Sequence, residues 1–201
     1  MKGKALFILI FMVCQGVCAQ QQGSVEQYYY MQEREALTVI PMAHYQSPKN
    51  WYVEARYNYE ELKTFSLYAG KAFSKESKLS YTIIPMVGGV MGRFKGGSFG
   101  LNLDIDYERL FLSSQSQYTF SVEDRAANFL YSWSELGYNI WSWLFIGVAI
   151  QHTRLYNTKF ALGEAGIVVG FSIGKWEFPV YSFSPMCSNR YFILGINRKF
   201  E

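Results

Sequence analysis

The sequence predicts an all-β protein, an antiparallel up-and-down barrel of eight or ten strands, and two observations carry that expectation. Half of the 201 residues are hydrophobic and 18% are aromatic, yet the mean hydropathy is only −0.03. Apolar side chains must therefore be interleaved with polar ones instead of gathered in runs. The interleaving has a period of two over stretch after stretch, which places alternate side chains on opposite faces of a strand.

The one continuous apolar run lies at the start. Lys2 and Lys4 precede Ala5 to Val13, and Val17-Cys18-Ala19 supplies small residues at a cleavage position. Residues 1–19 read as a secretory signal peptide cut before Gln20. The run is too short for a spanning anchor, and Gln15 stands where a lipoprotein signal has leucine. Removing Lys2 and Lys4 from 19 basic residues leaves 17 against 16 acidic ones, a net charge of +1. A nearly neutral chain has no electrostatic footprint for nucleic acid. Cleavage also removes Cys14 and Cys18, so Cys187 has no partner for a disulfide.

Residues 20–48 form a polar N-terminal segment with a Tyr28-Tyr29-Tyr30 cluster, expected to be a periplasmic leader or a plug. Leu37 to Tyr45 alternates, but Pro41 demotes it to an edge strand. The barrel proper is expected over residues 49–201. Trp51, Val53, Ala55, Tyr57 and Tyr59 face one way, and Tyr52, Glu54, Arg56, Asn58 and Glu60 the other. Strands follow around Phe65–Ala69, Leu79–Gly92 and Leu101–Glu108, where Leu101, Leu103, Ile105 and Tyr107 oppose Asn102, Asp104, Asp106 and Glu108. Ser113 to Arg125 is read either as a loop or as the projecting continuation of two strands. Further strands run through Phe129–Trp133, Leu144–Thr153, Glu164–Ile173 and Trp176–Val180, with a turn at Tyr156–Lys159 before the third of these.

The chain closes on Arg190-Tyr-Phe-Ile-Leu-Gly-Ile-Asn-Arg-Lys-Phe-Glu201, with Phe192, Leu194 and Ile196 on one face. A final alternating strand ending near an aromatic, here Phe200 followed by Glu201, resembles the terminal strand of bacterial outer-membrane β-barrel proteins. That resemblance covers the signal peptide and roughly residues 50 to 200, and it implies an even strand number, apolar faces toward lipid and polar faces toward the lumen. It also implies residence in the bacterial outer membrane, membrane lipid as the surrounding partner, and insertion by the barrel-assembly machinery. On this reading Glu54, Arg56, Asn58, Asp104, Asp106, Glu108, Glu164, Asn197 and Lys199 form a lumenal polar network. Gly147, Gly166, Gly170 and Gly195 relieve crowding beside it. Trp51, Trp141, Trp143, Tyr156, Trp176 and Tyr191 lie near strand ends, where an interfacial girdle belongs. The rival is a secreted lipocalin-like barrel, apolar inside; its Gly-x-Trp is matched only by Gly174-Lys175-Trp176, far from the first strand.

Chemistry leaves few marks. His44, His152 and Cys187 are far apart, so neither a metal site nor a cofactor is expected. Asp104, Asp106 and Glu108 suit calcium less well than pairing with Arg56 and Lys199. His152, with Thr153, Ser132 and Ser134 as neighbours, faces outward by alternation, a poor setting for a nucleophile-base pair. The two glycine-rich stretches at Gly88–Gly92 and Gly96–Gly100 lack the following helix a phosphate loop needs. The first functional expectation is a plugged, non-catalytic barrel with a structural, adhesive or assembly-partner role, engaging a periplasmic or surface protein. The alternatives are a narrow pore for ions or small solutes and a lipid-modifying enzyme.

Overall fold

The computed structural model describes residues 22–33, 35–155, 161–187 and 189–200. The expected signal peptide, the Tyr156–Lys159 turn and Glu201 lie outside that set. Thirteen strands follow in order: β1 (Gln22–Gln32), β2 (Thr38–Gln46), β3 (Trp51–Tyr57), β4 (Thr64–Lys71), β5 (Phe73–Lys75), β6 (Leu79–Gly92), β7 (Gly96–Tyr107), β8 (Leu110–Ser121), β9 (Phe129–Trp141), β10 (Leu144–Leu155), β11 (Ala161–Ile173), β12 (Trp176–Phe183) and β13 (Tyr191–Phe200). Each pairs antiparallel with its neighbours, β13 returns to pair with β1, and β4 pairs with β6. The result is a closed ring of twelve strands. The short β5 continues the line of β4 along β6, since Gly70↔Met86 and Phe73↔Ile83 are in step.

Twelve strands correct the expected eight or ten, and three segments account for the difference. The described part of residues 20–48 is neither leader nor plug but two wall strands, β1 held between β2 and β13. Its tyrosine cluster alternates after all: Tyr28 and Tyr30 pack against the lumenal hydrophobic cluster, and Tyr29 takes the opposite face. Ser113 to Ser121 lies within β8, laddered to β7 throughout and to β9 as far as Thr119. Serines and glutamines on both faces hid its period.

The prolines of these strands sit where the ladder is interrupted. Pro41 pairs with Gln27 of β1, while the β2–β3 register begins one residue later at Met42↔Arg56. Pro85 stands opposite the break between β4 and β5. The β12–β13 register skips from Glu177↔Asn197 to Val180↔Leu194, and Pro179 lies in the gap. Proline has no N–H to give a ladder, so these positions tolerate it where a fully paired one would not.

Burial then decides which face is which. In β3, Tyr52, Glu54 and Arg56 are buried while Trp51, Val53 and Tyr57 are exposed; in β4, Thr64, Ser66 and Tyr68 are buried while Phe65 and Leu67 are exposed. The same outward apolar rows continue through Phe99 and Leu101, Ile146, Val148 and Ile150, and Ile167, Val169 and Phe171. The apolar face is outside, which overturns the lipocalin-like rival. Contiguous apolar surface of this extent suits lipid, where a closed barrel leaves no unpaired backbone.

Inward aromatics are accommodated by glycine on the adjoining strand. Phe145 is paired with Gly170, Phe111 with Gly137 and Tyr68 with Gly88, and a Cβ on those glycines would come 1.9, 2.1 and 2.5 Å from the facing rings. The rings can therefore lie against the wall and leave space along the axis.

The two ends differ. One carries the tight turns at 47–50, 76–78, 108–109, 142–143 and 174–175 and both described termini; the other carries longer connections such as 58–63, 122–128 and 184–190. Trp51, Trp141, Trp143 and Trp176 all sit at the tight-turn end, where Trp141 stacks on Trp143 at 5.3 Å and Trp176 on Phe178 at 6.3 Å. Tyr191 does not join them: it is buried inside against Phe183. A Val148→Arg change, on the outer face in mid-strand, is expected to destabilise the barrel by about 2–4 kcal/mol. Thr82→Arg, on the lumenal wall, should change it by only about 0.5 kcal/mol. Urea titration of folding into lipid vesicles compares the two; equal losses would contradict the assigned faces.

Candidate permeation pathway

A cavity of about 560 Å³ occupies the lumen, lined by residues from all around the ring. Its wall toward the tight-turn end carries Glu26, Asp104, Asp106, Glu135, Glu177 and Lys199, and its inner end meets Tyr30, Tyr59 and Tyr131. Glu26 accepts hydrogen bonds from Ser24 Oγ (3.1 Å) and Tyr28 Oη (3.0 Å), with His44 Nδ1 at 3.6 Å. Glu135 accepts one from Tyr181 Oη at 2.9 Å.

Toward the loop end the 58–63 connection enters the lumen. Asn58 and Lys63 both adopt left-handed backbone conformations (φ 60° and 58°). Asn58 fits the position because its short amide supports that geometry. Its Oδ1 accepts the Lys63 N–H at 2.7 Å, and its Nδ2 donates to the Val39 carbonyl at 3.0 Å. The alternation of β3 consequently stops at Tyr57, and the connection folds back into the barrel. Tyr59, expected among the outward residues, instead donates to Gln115 Oε1 (3.0 Å) and meets Tyr131 edge-on at 5.5 Å. Strand β9, which carries Tyr131, is five places from β3 in the ring.

Arg56 anchors this crossing. Its guanidinium lies 4.4 Å from the Tyr59 ring centre and 4.5 Å from that of Tyr68, its Nε donates to Glu54, and its Nη1 donates to Gln117 Oε1 at 2.6 Å. Glu60 accepts from Tyr68 Oη (2.9 Å) and Ser66 Oγ (2.8 Å) and lies 3.9 Å from Arg56 Nη1. Glu54 also accepts from Tyr52 Oη and from Asn102 Nδ2, the latter at 3.2 Å. One cation thus serves two buried carboxylates, and neutral donors complete their solvation.

The residues expected in a lumenal network separate into five places. Glu54 and Arg56 join in the crossing just described. Asp104, Asp106, Asn197 and Lys199 line the cavity, where neither aspartate forms an ion pair with Arg56 or Lys199. Glu164 accepts from Tyr191 Oη at 2.6 Å, and Asn58 latches the 58–63 connection. Glu108 is outside the lumen: it occupies the β7–β8 turn with φ 56° and pairs with exposed Lys78 at 3.1 Å. Extending the β7 alternation one residue past Tyr107 had placed it inside. Glu26, Glu135 and Glu177 are isolated acidic residues in strands whose neighbours give no charge pattern, and Gln115 and Gln117 are hidden in a stretch polar on both faces, so periodicity marks none of them. His152 is in register with Ser132 and Gly163, and Thr153 with Tyr131 and Leu162. Among the described residues, no group of three or more His, Cys, Asp or Glu is placed to hold a metal ion.

Removing Arg56 alone would leave two buried carboxylates uncompensated. Arg56→Met is expected to cost about 3–5 kcal/mol of stability, and adding Glu54→Gln and Glu60→Gln should recover most of it. Urea unfolding of the two variants provides the measurement, and no recovery in the triple variant would refute the account.

No family model matches the sequence, and no curated protein matches it. Solved structures do. A KdgM porin superimposes with a TM-score of 0.65 at 11% identity, covering 89% of this chain and 99% of that one. A KdgM porin in complex with disordered oligogalacturonate gives 0.63 at 11%, and a NanC porin 0.57 at 9%, with the same coverages. At such identities the likeness concerns the fold. The chain has the fold of the bacterial outer-membrane β-barrel porins.

Proposed function

We propose that this protein is a narrow passive pore for small hydrophilic solutes in the bacterial outer membrane. The observation that carries the reading is the lumenal cavity of about 560 Å³, whose wall mixes polar and apolar surface evenly and which is bounded at its inner end by the re-entrant Tyr59. The first expectation from sequence was a plugged barrel with a structural role. Barrel width grows with strand number, so twelve strands favour the pore alternative over that plugged reading. The porin folds of the matched structures support the same choice. Passive permeation asks only for a lined path and a size limit; it requires no nucleophile or general base.

The tight-turn end, with both termini, faces the periplasm on this reading, and the longer connections face outward. A signal peptide at residues 1–19 would deliver the chain to that compartment, with insertion by the barrel-assembly machinery. Cys187, exposed in the 184–190 connection and the one cysteine left after cleavage, reports the orientation. Intact cells should label at Cys187 with a membrane-impermeant maleimide; labelling only after lysis would reverse the orientation.

Purified protein in planar bilayers should give discrete conductance steps. Tyr59→Gly, which removes the side chain spanning toward β8 and β9, should enlarge them. A folded, heat-modifiable protein that gives no steps would reject the pore. The oligogalacturonate bound by one KdgM porin is a chain of acidic sugars, whereas the wall carboxylates here disfavour a polyanionic passenger.

A further inference from the structure

The cavity wall is rich in acceptors and short of cations. Glu26, Asp104, Asp106, Glu135 and Glu177 line it, against Lys199 and a His44 already engaged by Ser24 and Glu26. These groups share one enclosed lumen between low-dielectric walls, which focuses their fields. Carboxylates alone would say little, because water can solvate them. Two buried amides say more.

Asn102 and Asn197 are 6% and 9% exposed, both line the cavity, and the Oδ1 of each has no hydrogen-bond partner. The orientation of Asn102 follows from its neighbour: its Nδ2 donates to Glu54 Oε2 at 3.2 Å. A carboxylate can only accept, so the amide oxygen is the atom left over. Asn197 is in register with Glu26 on one side and Glu177 on the other, which sets three acceptor-bearing side chains at neighbouring positions. Buried acceptors without donors are rare and point to an occupant that brings its own hydrogens.

From this geometry we infer that the lumen selects cations, and that its turn-end vestibule binds small protonated amines weakly. An ammonium group offers three donors and no acceptor, so it matches a wall of carboxylates and orphaned amide oxygens. A chloride or a carboxylated solute is repelled by the five carboxylates, and Lys199 is the one lysine or arginine in the cavity lining to offset them. The inference rests on the pore reading.

The test is the reversal potential of the mature protein in a planar bilayer under a KCl gradient, with 1,4-diaminobutane then added on the turn-end side. The expected result is a cation-signed reversal potential and a concentration-dependent block by the diamine. Asp104→Asn with Asp106→Asn and Glu177→Gln should diminish both, and Lys199→Gln should strengthen the cation preference. Heat-modifiable mobility first verifies that each variant is a folded barrel. Steps with an unselective or anion-signed reversal potential, or a diamine block unchanged in the triple variant, would overturn the inference while leaving the pore intact. Absence of steps in the wild-type protein would remove the pore reading itself.

Discussion

A sheet with an open edge has no place in hydrocarbon, where each unpaired backbone group costs several kcal/mol. The pairing of the first described strand with the last is therefore the contact on which the rest of this barrel depends. Ten residue pairs, from Gly23↔Phe200 to Gln32↔Tyr191, satisfy both edges at once. Closure makes inside and outside distinct, and the two-residue alternation then becomes a sorting of side chains between lipid and lumen. The ladder gaps at Pro85 and Pro179 are tolerable because the strands on either side of each gap resume in register.

Once closed, the lumen is governed by two opposing demands. Large inward rings would fill it, but glycines on adjoining strands let Phe111, Phe145 and Tyr68 lie close to the wall. The 58–63 connection works in the other direction, carrying Tyr59 and Glu60 back inside to meet Arg56. The lumen is thus acidic near the tight turns and braced near the loops. Its polarity follows from charge placement: Arg56 is consumed by Glu54 and Glu60, which leaves Lys199 as the fixed cation on the cavity wall. The same arrangement explains how a chain of near-neutral net charge can present an acidic interior.

Much of the wall was legible from residue order. Where one face was consistently apolar, as in β7 with Leu101, Leu103 and Ile105, the strand and its orientation followed directly. The reading weakened where a face toward lipid was itself polar, as at Ser114 and Ser116 in β8, or where an adjacent tyrosine triplet masked the period in β1. It failed at Glu108 and Tyr59 because one left-handed residue, Glu108 itself or Asn58 before Tyr59, ends the alternation. A backbone dihedral of that kind leaves no periodic trace.

By itself, then, the sequence determined that the chain is built of alternating strands with an apolar and a polar face, since periodicity is local and survives without any partner. The tertiary structure decided the number of strands, the pairing of β1 with β13, and the gathering of Arg56, Glu60, Gln115 and Gln117 at one crossing. The crossing depends on contacts between residues 61 and 56 positions apart, and the closing pair of strands on residues 159 (191 − 32) to 177 (200 − 23) positions apart. Only closure of the ring brings such residues within hydrogen-bonding distance, and only closure makes the unpaired oxygens of Asn102 and Asn197 lumenal.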